Sequence, residues 1–174
     1  MTHRGCFSLT KMLILATLPA MTVVQAADTA KLDLSGAYIL IDAKGSFKMN
    51  KASSWVLEVV QTDAAIKITK TIDGKATTNT FKLDGTEAPY TSEGDVKGTC
   101  TARFKGKALM LDTQTTTHPQ ANGPEVQIHT REKWTLSSDL KTLTIRSDVD
   151  FPKSGLGGFQ VIEPWSEIYT RNRL

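Results

Sequence analysis

From about residue 34 onward, apolar and polar residues alternate in short runs instead of recurring every three or four positions. Alternation of this kind favours half-buried strands, because successive strand side chains point to opposite faces. The clearest run is Val126–Leu136. Val126, Ile128, Thr130, Glu132, Trp134 and Leu136 share one side, and Gln127, His129, Arg131, Lys133 and Thr135 share the other. Ile66, Ile68 and Ile72 likewise oppose Lys67, Thr69 and Thr71, while Leu143 and Ile145 oppose Thr142, Thr144 and Arg146. Leu109 and Leu111 also share a face. The pattern predicts nine strands: Leu34–Asp42, Trp55–Gln61, Ile66–Ile72, Thr77–Leu83, Lys97–Phe104, Lys107–Thr116, Val126–Leu136, Thr142–Val149 and Ser166–Arg171. Threonine and β-branched residues dominate them, as a pleated surface favours.

The punctuation agrees with this reading. Asp73-Gly74 and Asp84-Gly85 are hairpin dipeptides, Lys105-Gly106-Lys107 serves the same purpose, and Ser137-Ser138-Asp139 closes another short connection. No long amphipathic helix is predicted, and a short one only around Asn50–Ser54. Thr117–Glu125 and Asp150–Pro164 read as irregular loops, carrying His118-Pro119, Asn122-Gly123-Pro124 and Gly155-Leu-Gly-Gly158. One wet face, one dry face and short sequential connections imply an all-β chain. We expect a single antiparallel up-and-down barrel of about 8–10 strands.

The first 26 residues follow a different logic. Arg4 and Lys11 precede the apolar run Met12–Leu18, and Val24-Gln25-Ala26 has the small-x-small form of a cleavage site. This predicts a secretory signal peptide (1–26) and one barrel domain (27–174), exported to the periplasm or beyond. The apolar run is too short to span a bilayer, so no membrane span is expected in the mature chain. Cleavage removes Arg4 and Lys11, taking Lys+Arg from 21 to 19 against 18 Asp+Glu. A near-neutral chain has no electrostatic footprint for nucleic acid. Cleavage also removes Cys6, leaving Cys100 without an intramolecular disulfide partner. A lone cysteine of this kind is expected to be a small buried apolar residue.

Several segments resemble those of small exported lipocalin-like (calycin-type) β-barrel domains of bacteria, many of unknown function. They are Leu34-Ser-Gly-Ala-Tyr38, Leu57-Glu-Val-Val-Gln61, Phe81-Lys-Leu-Asp-Gly85, Lys105-Gly-Lys-Ala-Leu-Met-Leu111 and Glu167-Ile-Tyr-Thr-Arg171. The strongest is Lys133-Trp-Thr-Leu-Ser-Ser-Asp-Leu-Lys-Thr-Leu-Thr-Ile145, similar to that group's hairpin but with Leu140 where glycine is usual. The resemblance implies a lipocalin-like barrel. Its motifs are hairpin motifs, which speak for fold and carry no activity.

Candidate chemistry is sparse. No serine sits in a Gly-x-Ser-x-Gly elbow, and Gly155–Gly158 lacks the Lys-Ser/Thr of a phosphate loop. His118 and His129 have no metal-ligand spacing and read as solvated surface groups. Asp148 and Asp150 share a face and read as a solvated strand end rather than a calcium site. No cofactor, metal or catalytic set is therefore expected, and an enzymatic reading would rest on Glu132, His118 and His129 alone. Glu132 stands out because its parity places it with Ile128 and Trp134. A carboxylate there must be paired, protonated or near a barrel mouth. It is either a polar anchor for a ligand or a structural group, for instance paired with Arg103 or displaced by a bulge. Trp165, beside Pro164, either plugs one end or joins an exposed patch.

Tyr38, Trp55, Phe81, Phe104, Trp134 and Tyr169, with Glu132, form the expected lining of an interior site. The leading expectation is a barrel binding a small apolar or amphipathic ligand in a cavity of several hundred Å³, on the order of ordinary ligand pockets. The alternative is a protein-interaction module, such as an inhibitor of an extracytoplasmic enzyme. It would act through the loops 117–125 and 150–164 over a filled interior.

Overall fold

The computed structural model describes residues 32–45, 54–92, 96–118, 125–154 and 162–172. The expected signal peptide, Asn50 to Ser53, residues 119–124 and the glycines of 155–158 lie outside them. Ser54, the last residue of the expected short helix, is described and is not helical.

Ten strands follow in chain order: β1 (Gly36–Lys44), β2 (Trp55–Gln61), β3 (Ala65–Ile72), β4 (Lys75–Lys82), β5 (Asp84–Thr91), β6 (Lys97–Lys105), β7 (Ala108–Thr117), β8 (Val126–Leu136), β9 (Thr142–Ser154) and β10 (Ile162–Asn172). Each pairs antiparallel with its sequence neighbour, except that β1 pairs with β10 and no ladder joins β4 to β5. The order β4-β3-β2-β1-β10-β9-β8-β7-β6-β5 is an up-and-down barrel that is closed except along the β4–β5 seam. Among the described residues no helix is long and apolar enough to cross a membrane.

All nine expected strands are present, two with the expected bounds, and the lipocalin-like all-β barrel is the fold of this chain. The unforeseen strand is β5, whose Gly85, Ala88 and Pro89 disguise it. Its only ladder partner is β6, and an edge strand tolerates proline because the missing N–H can face the open side. The expected loop Asp150–Pro164 is also shorter than predicted. β9 runs on to Ser154, pairing Lys153 with Gln127 on β8, and β10 begins at Ile162. Pro152 is accommodated because the ladder between β9 and β10 extends no further along β9 than Val149, and Pro164 lies in the register shift between Ile162 and Trp165.

The inward residues make one continuous core, including Leu34, Leu57, Ile66, Phe81, Leu109, Trp134 and Leu143. Burying a large apolar side chain of this kind contributes roughly 1.5–3 kcal/mol. One end of the barrel is sealed by the segment before β1. The Tyr38 hydroxyl donates to the Leu34 carbonyl (2.8 Å), and Arg171 Nη2 donates to that hydroxyl (2.9 Å) and to the Ser35 carbonyl (2.8 Å). The Gln61 carboxamide donates to the Leu32 carbonyl (2.8 Å) and accepts from the Leu34 N–H (3.1 Å).

The hairpins use the expected chemistry. Asp73 and Gly74 have φ of +49° and +82°, the left-handed pair that matches strand twist, and the Asp73 carboxylate accepts the Ser54 N–H (3.0 Å). The β8–β9 turn is less comfortable. Leu140 takes φ +59°, a region in which a side chain costs roughly 1–2 kcal/mol. The turn holds it there because its N–H donates to Ser137 O (2.9 Å) while Asp139 accepts from the Lys141 N–H (3.1 Å). Leu140 is 49% exposed and so recovers little by burial. Leu140→Gly should therefore raise stability by about 0.5–1 kcal/mol, net of glycine's greater unfolded-state entropy. Urea unfolding checks this, and an unchanged or lower midpoint would refute the strain assigned to the turn.

Candidate functional site

The barrel interior contains a cavity between its middle and the seam. Its lining runs from Leu57, Ile68 and Tyr169 to Lys75 and Ser92 at the outer ends of β4 and β5. The volume open to the centre of a water-sized sphere is about 90 Å³, and the whole cleft with its open mouth is about 660 Å³. The enclosed space is thus smaller than the several hundred Å³ expected. The reason is that Tyr38, Phe81, Trp134 and Tyr169 are all buried inside and fill most of the barrel.

Four of the seven residues singled out from the sequence, Phe81, Glu132, Trp134 and Tyr169, border this cavity. Tyr38 does not, being committed to the sealed end against Arg171, whose guanidinium carbon lies 5.3 Å from the tyrosine ring centre. Phe104 packs against the core elsewhere. Trp55 stays off the lining but touches it indirectly, because Lys70 Nζ sits 4.4 Å from its ring centre.

The polar part of the lining comes from strands whose alternation forces charged groups inward. Register places Glu132 on β8 between Leu111 on β7 and Ser147 on β9. Its Oε2 accepts the Trp134 Nε1–H at 2.8 Å. No ion pair with Arg103 forms, since that side chain is exposed on the outer face of β6. Glu132 is cut off from bulk water, and what surface it keeps borders the cavity. Burial raises its pKa above the usual carboxylate range, against the opposing field of Lys70 and the Trp134 hydrogen bond.

Glu167 on β10 is the second interior carboxylate. Its Oε2 accepts the Tyr169 hydroxyl (2.6 Å) and lies 3.4 Å from Lys70 Nζ, while Oε1 accepts Trp165 Nε1–H (3.4 Å). Trp165 is thereby half-buried and tied inward. Burial and the Glu167 charge push the Tyr169 hydroxyl far up, so it serves as a neutral donor. Tyr90 on β5, stacked on Phe81 with centroids 6.3 Å apart, is also raised, mainly by burial. Cys100 is buried, and burial lifts its thiol to about 11. It is the buried apolar group expected from its isolation.

Lys70, Glu167, Tyr90 and Asn79 were not among the sequence-predicted site residues. Lys70 shares the parity of Ile66, Ile68 and Ile72, and Glu167 that of Tyr169, so both were readable from alternation. Tyr90 lay in the unforeseen strand. Asn79 bridges the seam, its carboxamide donating to the Thr91 carbonyl (2.9 Å) and accepting the Thr91 N–H (2.8 Å) in place of a ladder pair.

The outer face carries the remaining candidates. His129 Nε2 meets Asp112 Oδ1 at 2.6 Å, its Nδ1 lies 3.5 Å from Asp150 Oδ1, and Arg131 holds Asp150 at 3.0 Å. His118 is exposed. Among the described residues no group of three or more His, Cys, Asp or Glu side chains is arranged to hold a metal ion.

No protein-family model matches this chain, and no curated protein matches it significantly in sequence. Solved structures do match its fold. A REP1-NXSQ fatty acid transporter aligns with TM-score 0.55 at 15% identity, covering 81% of this chain and 97% of its own. Fatty-acid-binding protein 1 of Echinococcus granulosus gives 0.55 at 12%, covering 80% and 98%. Zebrafish ileal bile-acid-binding protein, complexed with cholic acid, gives 0.56 at 15%, covering 79% and 98%. At these identities the likeness establishes the shared barrel and nothing further.

Two outcomes follow from the geometry. Asn79→Ala removes both bonds that tie the seam and should cost about 1–2 kcal/mol. It should also speed hydrogen exchange at the Thr91 amide, and unchanged exchange there would show that the seam is held otherwise. The raised Glu132 pKa stabilises the native state fully below the ordinary carboxylate range, a contribution lost as pH rises through the shifted value. Glu132→Gln, which imitates the protonated acid, should therefore gain on the native protein between pH 4 and pH 8 in urea unfolding. An advantage that shrinks with pH would contradict the shift.

Proposed function

We propose that this protein is an exported barrel that binds a small apolar or amphipathic molecule in its interior. The cavity carries the reading. Protein interiors pack to nearly crystalline density, with few voids larger than water. Here the walls formed by Leu57, Ile68, Phe81, Leu111, Trp134 and Ile145 leave space unfilled, and a few polar groups converge on it. Apolar walls with sparse, placed polar groups are the usual form of a small-ligand site. The neighbours that share the barrel are named for fatty acids and a bile acid, which supports binding rather than catalysis as the use of the interior. The enclosed volume suits a ring or head group, with a longer tail lying in the open mouth. Export rests on the basic start, apolar run and Val24-Gln25-Ala26 of the first 26 residues.

Native mass spectrometry of the protein purified from its own host tests both halves. The expected polypeptide mass is that of residues 27–174, accompanied by a small molecule that is lost on unfolding. A full-length mass would remove the export reading. An apo mass, combined with no saturable uptake of a neutral apolar fluorophore, would remove the ligand-binding one.

A further inference from the structure

The interior charges of the cavity are unevenly matched. Two carboxylates, Glu132 and Glu167, face one ammonium, Lys70. That ammonium is already engaged on two sides, by Glu167 Oε2 at 3.4 Å and by the Trp55 ring at 4.4 Å. Glu167 is engaged as well, through Tyr169 and Trp165. Glu132 is different. Its Oε2 takes the Trp134 N–H, and its Oε1 has no hydrogen-bond partner among the described residues. The Tyr90 hydroxyl, on the same cavity wall, has none either. A ligand head group that completes this site must donate hydrogen bonds and bring positive charge. An ammonium does both, with three donors and no acceptor. A carboxylate head would bring a third negative group to a single shared lysine.

We propose that the cavity takes the cationic amine head of an amphipathic ligand, with Glu132 as its counter-ion and the Tyr90 hydroxyl as a second acceptor. This rests on the ligand-binding reading above and names the ligand class. It also sets this interior apart from those of fold neighbours named for fatty acids.

The pH dependence has a definite sign. The titratable groups around Glu132 are Lys70 from β3, Tyr90 from β5, Cys100 from β6 and Glu167 and Tyr169 from β10. Burial holds Tyr90, Tyr169 and Cys100 neutral, so the carboxylates carry any change between pH 5 and pH 8. A primary alkylamine stays protonated across that range. Its affinity should rise with pH as Glu132 ionises, with a proton released on binding.

Titration calorimetry with decylamine, decanol and decanoate, each below its aggregation limit, provides the test. Decylamine is expected to bind at least about tenfold more tightly than decanol at pH 8, and decanoate most weakly, as a charge-assisted hydrogen bond implies. Glu132→Gln should abolish the amine preference while decanol affinity changes by less than about threefold, and that retained decanol binding shows that the variant is folded. If the variant fails to fold, Tyr90→Phe with the native pH profile decides in its place. A weaker amine preference in Tyr90→Phe, with native amine affinity rising toward pH 8, upholds the proposal, and their absence overturns it. Decanoate binding as tightly as decylamine, or an amine preference that survives Glu132→Gln, overturns the amine assignment and leaves the ligand-binding reading intact. Failure of all three ligands to bind overturns both.

Discussion

The pairing of β1 with β10 is the constraint on which the rest of this barrel depends. It joins the first strand to the last and turns a ten-stranded ribbon into an enclosure. Its register sets Tyr38 opposite Arg171 and Leu40 opposite Tyr169. The first contact lets the segment before β1 fold back and seal one end, through Tyr38, Arg171 and Gln61. The same pairing sets Glu167 opposite Ala43 and turns it inward, toward Lys70 on β3. Sealing one end and charging the interior are thus two results of one closure.

Closure at β1–β10 moves the barrel's weak line to the opposite side. Sheet edges present unpaired N–H and C=O groups, which proteins cover, shorten or interrupt. Here the edges β4 and β5 face each other, and Asn79 supplies a side-chain substitute for one ladder pair. A seam held by a carboxamide parts more readily than a ladder, and it borders the cavity. The entrance therefore coincides with the line of weakest pairing, where opening disrupts the fewest backbone bonds.

Most of the fold was legible because alternation, hairpin dipeptides and short spacing all indicate the same antiparallel meander. β5 escaped because Pro89 and Gly85 oppose strand propensity, and only its edge position, a tertiary fact, makes them acceptable. The irregular stretch read after Val149 failed for the same reason, since Pro152 is tolerated once its β10 side has no ladder bond to lose. The site was half legible. Parity places Glu132 inward, and the same rule applied to Lys70 and Glu167 finds the remaining charges. Parity does not say that β3, β8 and β10 converge, which depends on the closure. Nor does an aromatic count separate Tyr38, which plugs the sealed end, from Tyr169, which borders the cavity.

A core built only for stability would not contain this set of charges. Desolvating an ion costs several kcal/mol, and well-packed apolar replacements of buried ion pairs are often neutral or stabilising. The Lys70–Glu167 pair offsets part of that cost, through two aromatic N–H and O–H donors and the Trp55 ring. Glu132 has only one donor, and burial pushes it toward its neutral form. Such a group is the least stabilising member of the interior when the cavity holds only water. It becomes the best satisfied when a hydrogen-bond donor of opposite charge arrives beside it. The physical sense of Glu132 is thus a native state that gives up stability in the empty barrel and recovers it on binding. That links the interior charge imbalance, the unfilled volume and the loosely held seam as parts of one device.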